Sequence, residues 1–246
     1  MLINPSAFII FKPDMKNTMF FLGLLLCTNN SIAQQPVSKT FLLGKINYAA
    51  DTSFIHVPRT YTNKDTYLKK ATYNAFLKMR AAAAKDGVKL YIVSGIRSFA
   101  YQSGIWNKKW DSLSRVKPKI TVKEKVLDIL QWSSMPGTSR HHWGTDMDLD
   151  STSPAYFNKT EGEKIYAWLL ANGAKYGFYQ PFTAGRATGY KEEKWHWSYL
   201  PLSKIYLAEY VKQISYPDLV GVRGSEVAPE IGIIQNWVLG VNPQCK

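Results

Sequence analysis

The sequence predicts an α+β domain, and three observations lead there. Segments with helical apolar spacing and short strand-like segments are mixed without a regular βα alternation. Hydrophobic residues make up 46% and charged residues 20%, a balance that suits a folded globular body rather than disorder. Of the two cysteines in 246 residues, Cys27 lies in a segment that reads as a cleaved leader, so only Cys245 is expected to remain and apolar burial rather than disulfide bonding must hold the fold.

The first segment reads as a leader. From Met15, "MKNTMFFLGLLLCTNNSIAQQ" has a basic Lys16, an apolar run from Met19 to Cys27 and a polar stretch ending Ser31-Ile32-Ala33. This is the layout of a secretory signal cut after Ala33, and the apolar run is too short to span a bilayer. Residues 1–33 are therefore read as leader and signal peptide, and 34–246 as a single domain. Lipidation at Cys27 is the weaker alternative, because Leu26 rather than a small residue precedes it. Cleavage removes Lys12, Lys16 and Asp14, two basic residues and one acidic, which takes the net charge from +13 to +12. A basic exported protein is drawn to anionic surfaces such as cell wall. No nucleic-acid motif is present, and no stable membrane insertion is expected after cleavage. A monomer is expected.

Along the mature chain, residues 34–66 read as an extended lead-in, with "FLLGKI" its most apolar part. Leu68, Ala71, Ala75, Phe76, Met79, Ala82 and Ala83 recur at helical spacing, which predicts a helix from Thr66 to Lys85 that stops near Gly87. "VKLYIVSG" reads as a buried strand closed by glycine. "SFAYQSGIWNKKW" is helical, with Tyr101, Ile105, Trp106 and Lys109 in reach of one face. "KPKITVKEKVLDILQW" is a loop leading into a short helix. "EGEKIYAWLLANG" is a helix with acidic residues in its first turn and Gly173 as its C-cap. "TDMDLD" alternates, so Asp146, Asp148 and Asp150 share one face and Thr145, Met147 and Leu149 the other. "KWHWSYL" is a second strand candidate. Residues from about 201 form a C-terminal extension without a usable motif.

The chemistry concentrates between Thr138 and Asp150, where two of the chain's four histidines stand beside three aspartates. A catalytic zinc takes three protein ligands from His and Asp/Glu and leaves a fourth position for water. His196 is a further donor, with Glu193 three residues before it, placed to accept a proton from water at the metal. Strand alternation puts Asp146 and Asp148 on one face, so it does not choose between them.

Ser139-Arg140-His141-His142-Trp143-Gly144-Thr145-Asp146-Met147-Asp148 resembles the S-x-H-x-x-G-x-x-x-D signature of the D-alanyl-D-alanine carboxypeptidase family that includes the VanY-type zinc peptidases. Glu193-Lys194-Trp195-His196 is similar to its E-x-W-H signature, and Ser94-Gly95-Ile96-Arg97-Ser98 with Gln102 to its S-G-x-R-S segment. The three motifs come in the family's order across most of residues 41–200. The resemblance implies a small antiparallel sheet flanked by helices, the Hedgehog/DD-peptidase-like fold. It implies an exported enzyme of the periplasm or cell envelope that trims peptidoglycan stem peptides with Zn2+ as cofactor. It implies His141, Asp148 and His196 as zinc ligands, Glu193 as general base and then proton donor to the leaving amine, and Arg97 as the group that holds or polarises the substrate. Gln102, Ser139 and Trp195 correspond to substrate-side contacts. Asp146 stands where the family often has a small residue; it could orient a ligand histidine or bind a positive substrate group. Glu193 and His196 would face opposite ways on a regular strand, so Glu193 is expected in a loop before it. His142 is expected to be a wall or supporting residue, His56 structural or exposed, and Asp150 a strand-end charge or outer acceptor. The rival readings are an L,D-carboxypeptidase, a peptidoglycan endopeptidase, and a non-catalytic wall-binding protein with a structural metal.

Overall fold

Ser38 caps the first element: its hydroxyl accepts the Phe41 amide and starts a single helical turn, α1 (Lys39–Leu42), which buries Phe41 and Leu42. The computed structural model describes residue 1 and residues 37–246, so the leader, its cleavage after Ala33 and Cys27 lie outside the described residues. Beyond α1, β1 (Phe54–His56) pairs antiparallel with β2 (Tyr67–Lys69) as a small separate sheet. The expected extended lead-in thus becomes a helical turn and half of a two-stranded sheet. Three-residue strands carry too little alternation to be read in advance.

Helix α2 (Lys70–Lys85) follows β2 and buries Tyr73, Phe76, Met79 and Ala83. Strand β3 (Ile92–Ser94) leads to α3 (Phe99–Val116), capped by the Ser98 hydroxyl. On α3, Tyr101, Ile105 and Lys109 face a cleft, while Gln102, Trp106 and Trp110 are buried. Trp106 therefore leaves the face the sequence assigned to it, since five residues separate it from Tyr101. Helix α4 (Val122–Ile129) opens with a capping box between Thr121 and Glu124. Strand β4 (Asp146–Leu149) is buried throughout.

Helix α5 (Thr160–Asn172) does not end on a left-handed Gly173. That glycine is right-handed at φ −53, and a 3-10 turn continues to Tyr176, where Gly177 (φ 82) closes it. Gly173 serves packing instead: a Cβ there would lie 3.0 Å from the Trp197 ring. Strands β5 (Phe178–Tyr179) and β6 (His196–Tyr199) complete a four-stranded antiparallel sheet of order β3-β4-β6-β5. Helix α6 (Leu200–Gln213) and a series of short helical turns occupy the remainder.

The sheet has two unlike faces. Met147, Leu149 and Trp197 pack into a core with Phe76, Met79 and Leu169. Asp146, Asp148, His196 and Ser198 point the other way. A second apolar cluster gathers Trp106, Leu130, Trp143, Tyr206, Tyr210 and Ile233. Residues 203–246 supply 13 of the 27 buried residues of that cluster among the described residues, so this stretch is part of the domain's core.

Candidate metal centre and catalytic cleft

The β4–β6 register sets Asp148 opposite His196 and Asp146 opposite Ser198. Directly opposed residues of an antiparallel pair share a face within side-chain reach. Register thus brings Asp148 and His196 together from positions 48 residues apart in the chain. The 3-10 turn Arg140–Trp143 precedes β4 and ends at Gly144 with φ 67, where a Cβ would strike the Phe54 ring at 2.6 Å. This glycine turn aims His141 back over the strand it introduces.

The hydrogen bonds of each ring decide which nitrogen is open. His141 Nδ1–H donates to Gly95 O at 2.7 Å, leaving Nε2 3.3 Å from Asp148 Oδ1. His196 Nε2–H donates to Asp146 Oδ2 at 2.9 Å, leaving Nδ1 3.3 Å from the same Asp148 Oδ1. One ligand atom from each of the three residues lies within 4.8 Å of the others, and all three residues are buried. His141 Nε2 and Asp148 Oδ1 have no hydrogen-bond partner. A buried acceptor left unsatisfied costs about 1–3 kcal/mol, a cost a cation relieves. Two imidazole nitrogens and one carboxylate oxygen suit zinc, and three protein donors leave a position for water or substrate. The residues present fit the metal.

Electrostatics keep the donors distinct. Burial works against ionisation of Asp148, yet His141 and Arg97 hold its carboxyl well below the usual range. Burial also opposes a charged His196, but hydrogen bonds to Asp146, Asp148 and Glu193 raise it well above an ordinary histidine. His141 is lowered by burial and by the Arg97 charge. Burial lifts the Glu193 carboxyl, and its hydrogen bond to His196 offsets part of the rise.

Glu193 lies before β6 and not on it. Its amide donates to Phe182 O at 2.9 Å, and its carbonyl accepts the His196 amide at 3.2 Å. The turn through Lys194 and Trp195 lets Glu193 Oε2 come 3.3 Å from His196 Nδ1. Arg97 donates from Nη2 to Asp148 Oδ2 at 2.5 Å and from Nε to Ser94 Oγ at 3.0 Å. His142 faces away from the metal donors. Its Nδ1–H donates to Arg97 O at 2.6 Å, and Nε2 accepts the Gly137 amide at 3.0 Å. Gly44 packs so closely that a Cβ would lie 2.3 Å from His142 Nδ1. Together the two adjacent histidines bind the Gly95 and Arg97 carbonyls, and so fix the segment carrying the arginine.

A cleft of about 590 Å³ opens onto the donors, with Arg97, Lys109, Trp132, Glu193 and Trp195 in its walls. Trp195 is stacked on Trp132 with ring centroids 6.1 Å apart. Lys109 is half-buried; burial lowers its pKa, and the Glu193 charge opposes that shift. Gln102 and Ser139 are buried away from the cleft walls. Gln102 donates its amide to Ser134 O at 2.8 Å, which turns it toward the loop after α4. His56 is exposed and paired with Asp65 at 2.7 Å. Asp150 follows β4 with φ 62, and burial pushes its carboxyl up to about 7.

Sequence reasoning gave no role to Arg140, Ser198 or Lys109. Ser198 is two residues beyond His196, so strand alternation was a signal for it. Arg140, between Ser139 and His141, carried no signal that separates a buried arginine from a solvated one.

A family model described as VanY, D-alanyl-D-alanine carboxypeptidase, matches residues 65–202. The chain is 29% identical over 131 residues to a D-alanyl-D-alanine carboxypeptidase of Enterococcus faecalis, covering 51% of this chain and 46% of the relative. It is 32% identical over 141 residues to YodJ of Bacillus subtilis, covering 54% of this chain and 46% of that protein. The chain thus spans about half the length of these relatives. Among solved structures, VanYB in complex with D-alanine-D-alanine is similar in fold, with a TM-score of 0.51 and 22% identity over 69% of this chain and 93% of that one.

Proposed function

Because the chain belongs to the VanY D-alanyl-D-alanine carboxypeptidase family, we propose that it is an exported zinc-dependent carboxypeptidase that removes the terminal D-alanine from peptidoglycan stem peptides. The observation that carries this reading is the convergence of His141 Nε2, Asp148 Oδ1 and His196 Nδ1, with Glu193 Oε2 3.3 Å from the last of them. A structural metal site needs no such base, which argues against a purely wall-binding protein.

A zinc ion held by these three residues would supply Lewis-acid polarisation of the scissile carbonyl and would acidify water. Glu193 is the one carboxylate of the cleft not committed to holding the metal, and burial has raised its proton affinity. It takes a proton from the attacking water and passes it to the leaving amine as the C–N bond breaks. The products are the shortened peptide and free D-alanine. Arg97 has N–H groups left over from its bonds to Ser94 and Asp148 and orients the substrate's carbonyl or carboxylate. Trp132 and Trp195 form an apolar wall along the bound peptide.

The test is a digest of a stem pentapeptide ending in D-Ala-D-Ala, with zinc content measured on the same sample. About one equivalent of zinc and one D-alanine per peptide are expected, with activity lost on chelation and restored by zinc. Alanine released only from a tetrapeptide would identify an L,D-carboxypeptidase, and cleavage only of cross-linked stems an endopeptidase. Metal retained with none of these reactions would identify a binding protein.

Export rests on the apolar run Met19–Cys27 and on Ser31-Ile32-Ala33. Sequencing of the secreted protein should begin at Gln34; a mature chain beginning at a lipid-modified Cys27 would overturn that cut. Among the described residues no helix is long and apolar enough to cross a membrane.

A further inference from the structure

We infer that Asp146, clamped by Arg140, is a positioning residue that fixes His196 in the tautomer whose Nδ1 faces the metal site. This rests on the zinc reading of the centre. Asp146 is fully buried, on the same strand face as Asp148. Its Oδ2 accepts from Arg140 Nε at 2.9 Å and from His196 Nε2 at 2.9 Å. Its Oδ1 accepts from Thr145 Oγ1 at 2.8 Å and from Ser198 Oγ at 2.8 Å. An ionised carboxylate offers about four acceptor sites, and here four donors fill them. Asp146 therefore has no lone pair to give a metal, which assigns the ligand role to Asp148, whose Oδ1 has no hydrogen-bond partner.

Asp146 is in turn held from two directions. Arg140 reaches both Asp146 and, through Nη2 at 2.7 Å, Ser198 Oγ. The guanidinium is itself buried and lies over the Trp143 ring, 5.1 Å from its centroid. A carboxylate fixed this way presents one acceptor direction to His196, so the ring holds a proton at Nε2 and it is Nδ1 that is left to face a metal. Negative charge at Nε2–H also makes Nδ1 a stronger donor, and partners of this kind typically affect metal affinity by about 10- to 100-fold. Arg140 moderates that charge and prevents the carboxylate from swinging toward the metal itself.

The test compares the full-length parent, Asp146→Asn and Asp146→Ala. Zinc affinity is read by competition with a chromophoric chelator, and the His196 tautomer by nitrogen-15 NMR of histidine-labelled, zinc-loaded protein. Asp146→Asn keeps the shape and an acceptor but removes the charge; it should fold as the parent does, keep the proton on Nε2 and bind zinc about 10-fold more weakly. Asp146→Ala also removes the acceptor, and should bind about 100-fold more weakly with the tautomer no longer fixed. Pairing it with Arg140→Leu avoids leaving a buried charge alone, should the single variant fail to fold. Parent-like affinity and a parent-like tautomer in both Asp146 variants would overturn the inference while leaving the zinc reading intact. A parent that binds no zinc would overturn both.

Discussion

Replacing Glu193 with Gln is expected to lower turnover by about 100- to 10,000-fold while zinc content stays at the parent level. The substitution preserves size and removes only the ability to take and return a proton. None of the three metal donors is touched, and the His196 ring remains held by Asp146 at 2.9 Å. Peptide binding should persist, because Arg97 and the aromatic wall are intact. Arg97→Ala should behave differently: KM should rise as well as kcat fall, since a charge-assisted contact to substrate is lost. Measuring zinc and D-alanine release on the same preparations separates the two. Full activity in the Glu193→Gln protein would remove Glu193 from the reaction. Glu192 is poorly placed to replace it, because its carboxylate faces Tyr166, whose hydroxyl is 3.4 Å away.

Ending the chain at residue 202, where the family match stops, is expected to abolish folding. The segment beyond it fills the cluster on which the turn carrying His141 rests. Trp143 of that turn packs against Tyr206 and Tyr210, with centroids 6.3 and 6.1 Å apart. Tyr210 Oη donates to Gly137 O at 2.8 Å, and Trp106 Nε1 donates to Arg223 O at 2.9 Å. Each buried large apolar side chain stabilises a fold by about 1.5–3 kcal/mol. Without the thirteen buried residues of this segment, Trp106, Leu130 and Trp143 lose the partners that bury them, and exposing several large apolar side chains is a large fraction of the roughly 5–15 kcal/mol by which domains are stable. Circular dichroism and thermal melting of the truncated protein check this. Tyr210→Phe gives the graded version, a loss of about 1 kcal/mol for one hydrogen bond. A cooperative melt in the truncated chain would show that residues 203–246 are dispensable.

The elements that were legible in the sequence are those long enough to show a period. Helices α2, α3 and α5 repeat their apolar residues over several turns, and β4 alternates across "TDMDLD". The β1–β2 pair and α1 were not legible, because three or four residues carry no period and tertiary pairing decides them. Gly173 misled for a related reason: glycine serves both as a left-handed cap and as a packing gap, and only the Trp197 ring above it tells which. At the site, the resemblance of the motifs implied His141, Asp148, Glu193 and His196. Alternation alone puts Asp146 and Asp148 on one face and does not choose between them; the motif resemblance chose Asp148. Strand register separates them, and register depends on contacts distant in sequence. Gln102 and Ser139, which the motifs match to substrate-side contacts, are buried, and Gln102 Oε1 and Ser139 Oγ have no hydrogen-bond partner.

On the proposed reading, in which a metal rests on Asp148 and a peptide on Arg97, the Arg97–Asp148 pair ties the two ligands together thermodynamically. The guanidinium has spent Nε on Ser94 and one N–H of Nη2 on Asp148. Its remaining N–H groups are not used by these two bonds and are the ones left for an incoming carboxylate or carbonyl. Whatever electron density the substrate draws toward that cation, Asp148 Oδ2 no longer shares with it, and the charge left at Oδ1 changes accordingly. By linkage, a peptide that alters the hold on the metal must have its own affinity altered by the metal by the same factor. Occupancy at either place would then be felt at the other through the Asp148 carboxylate.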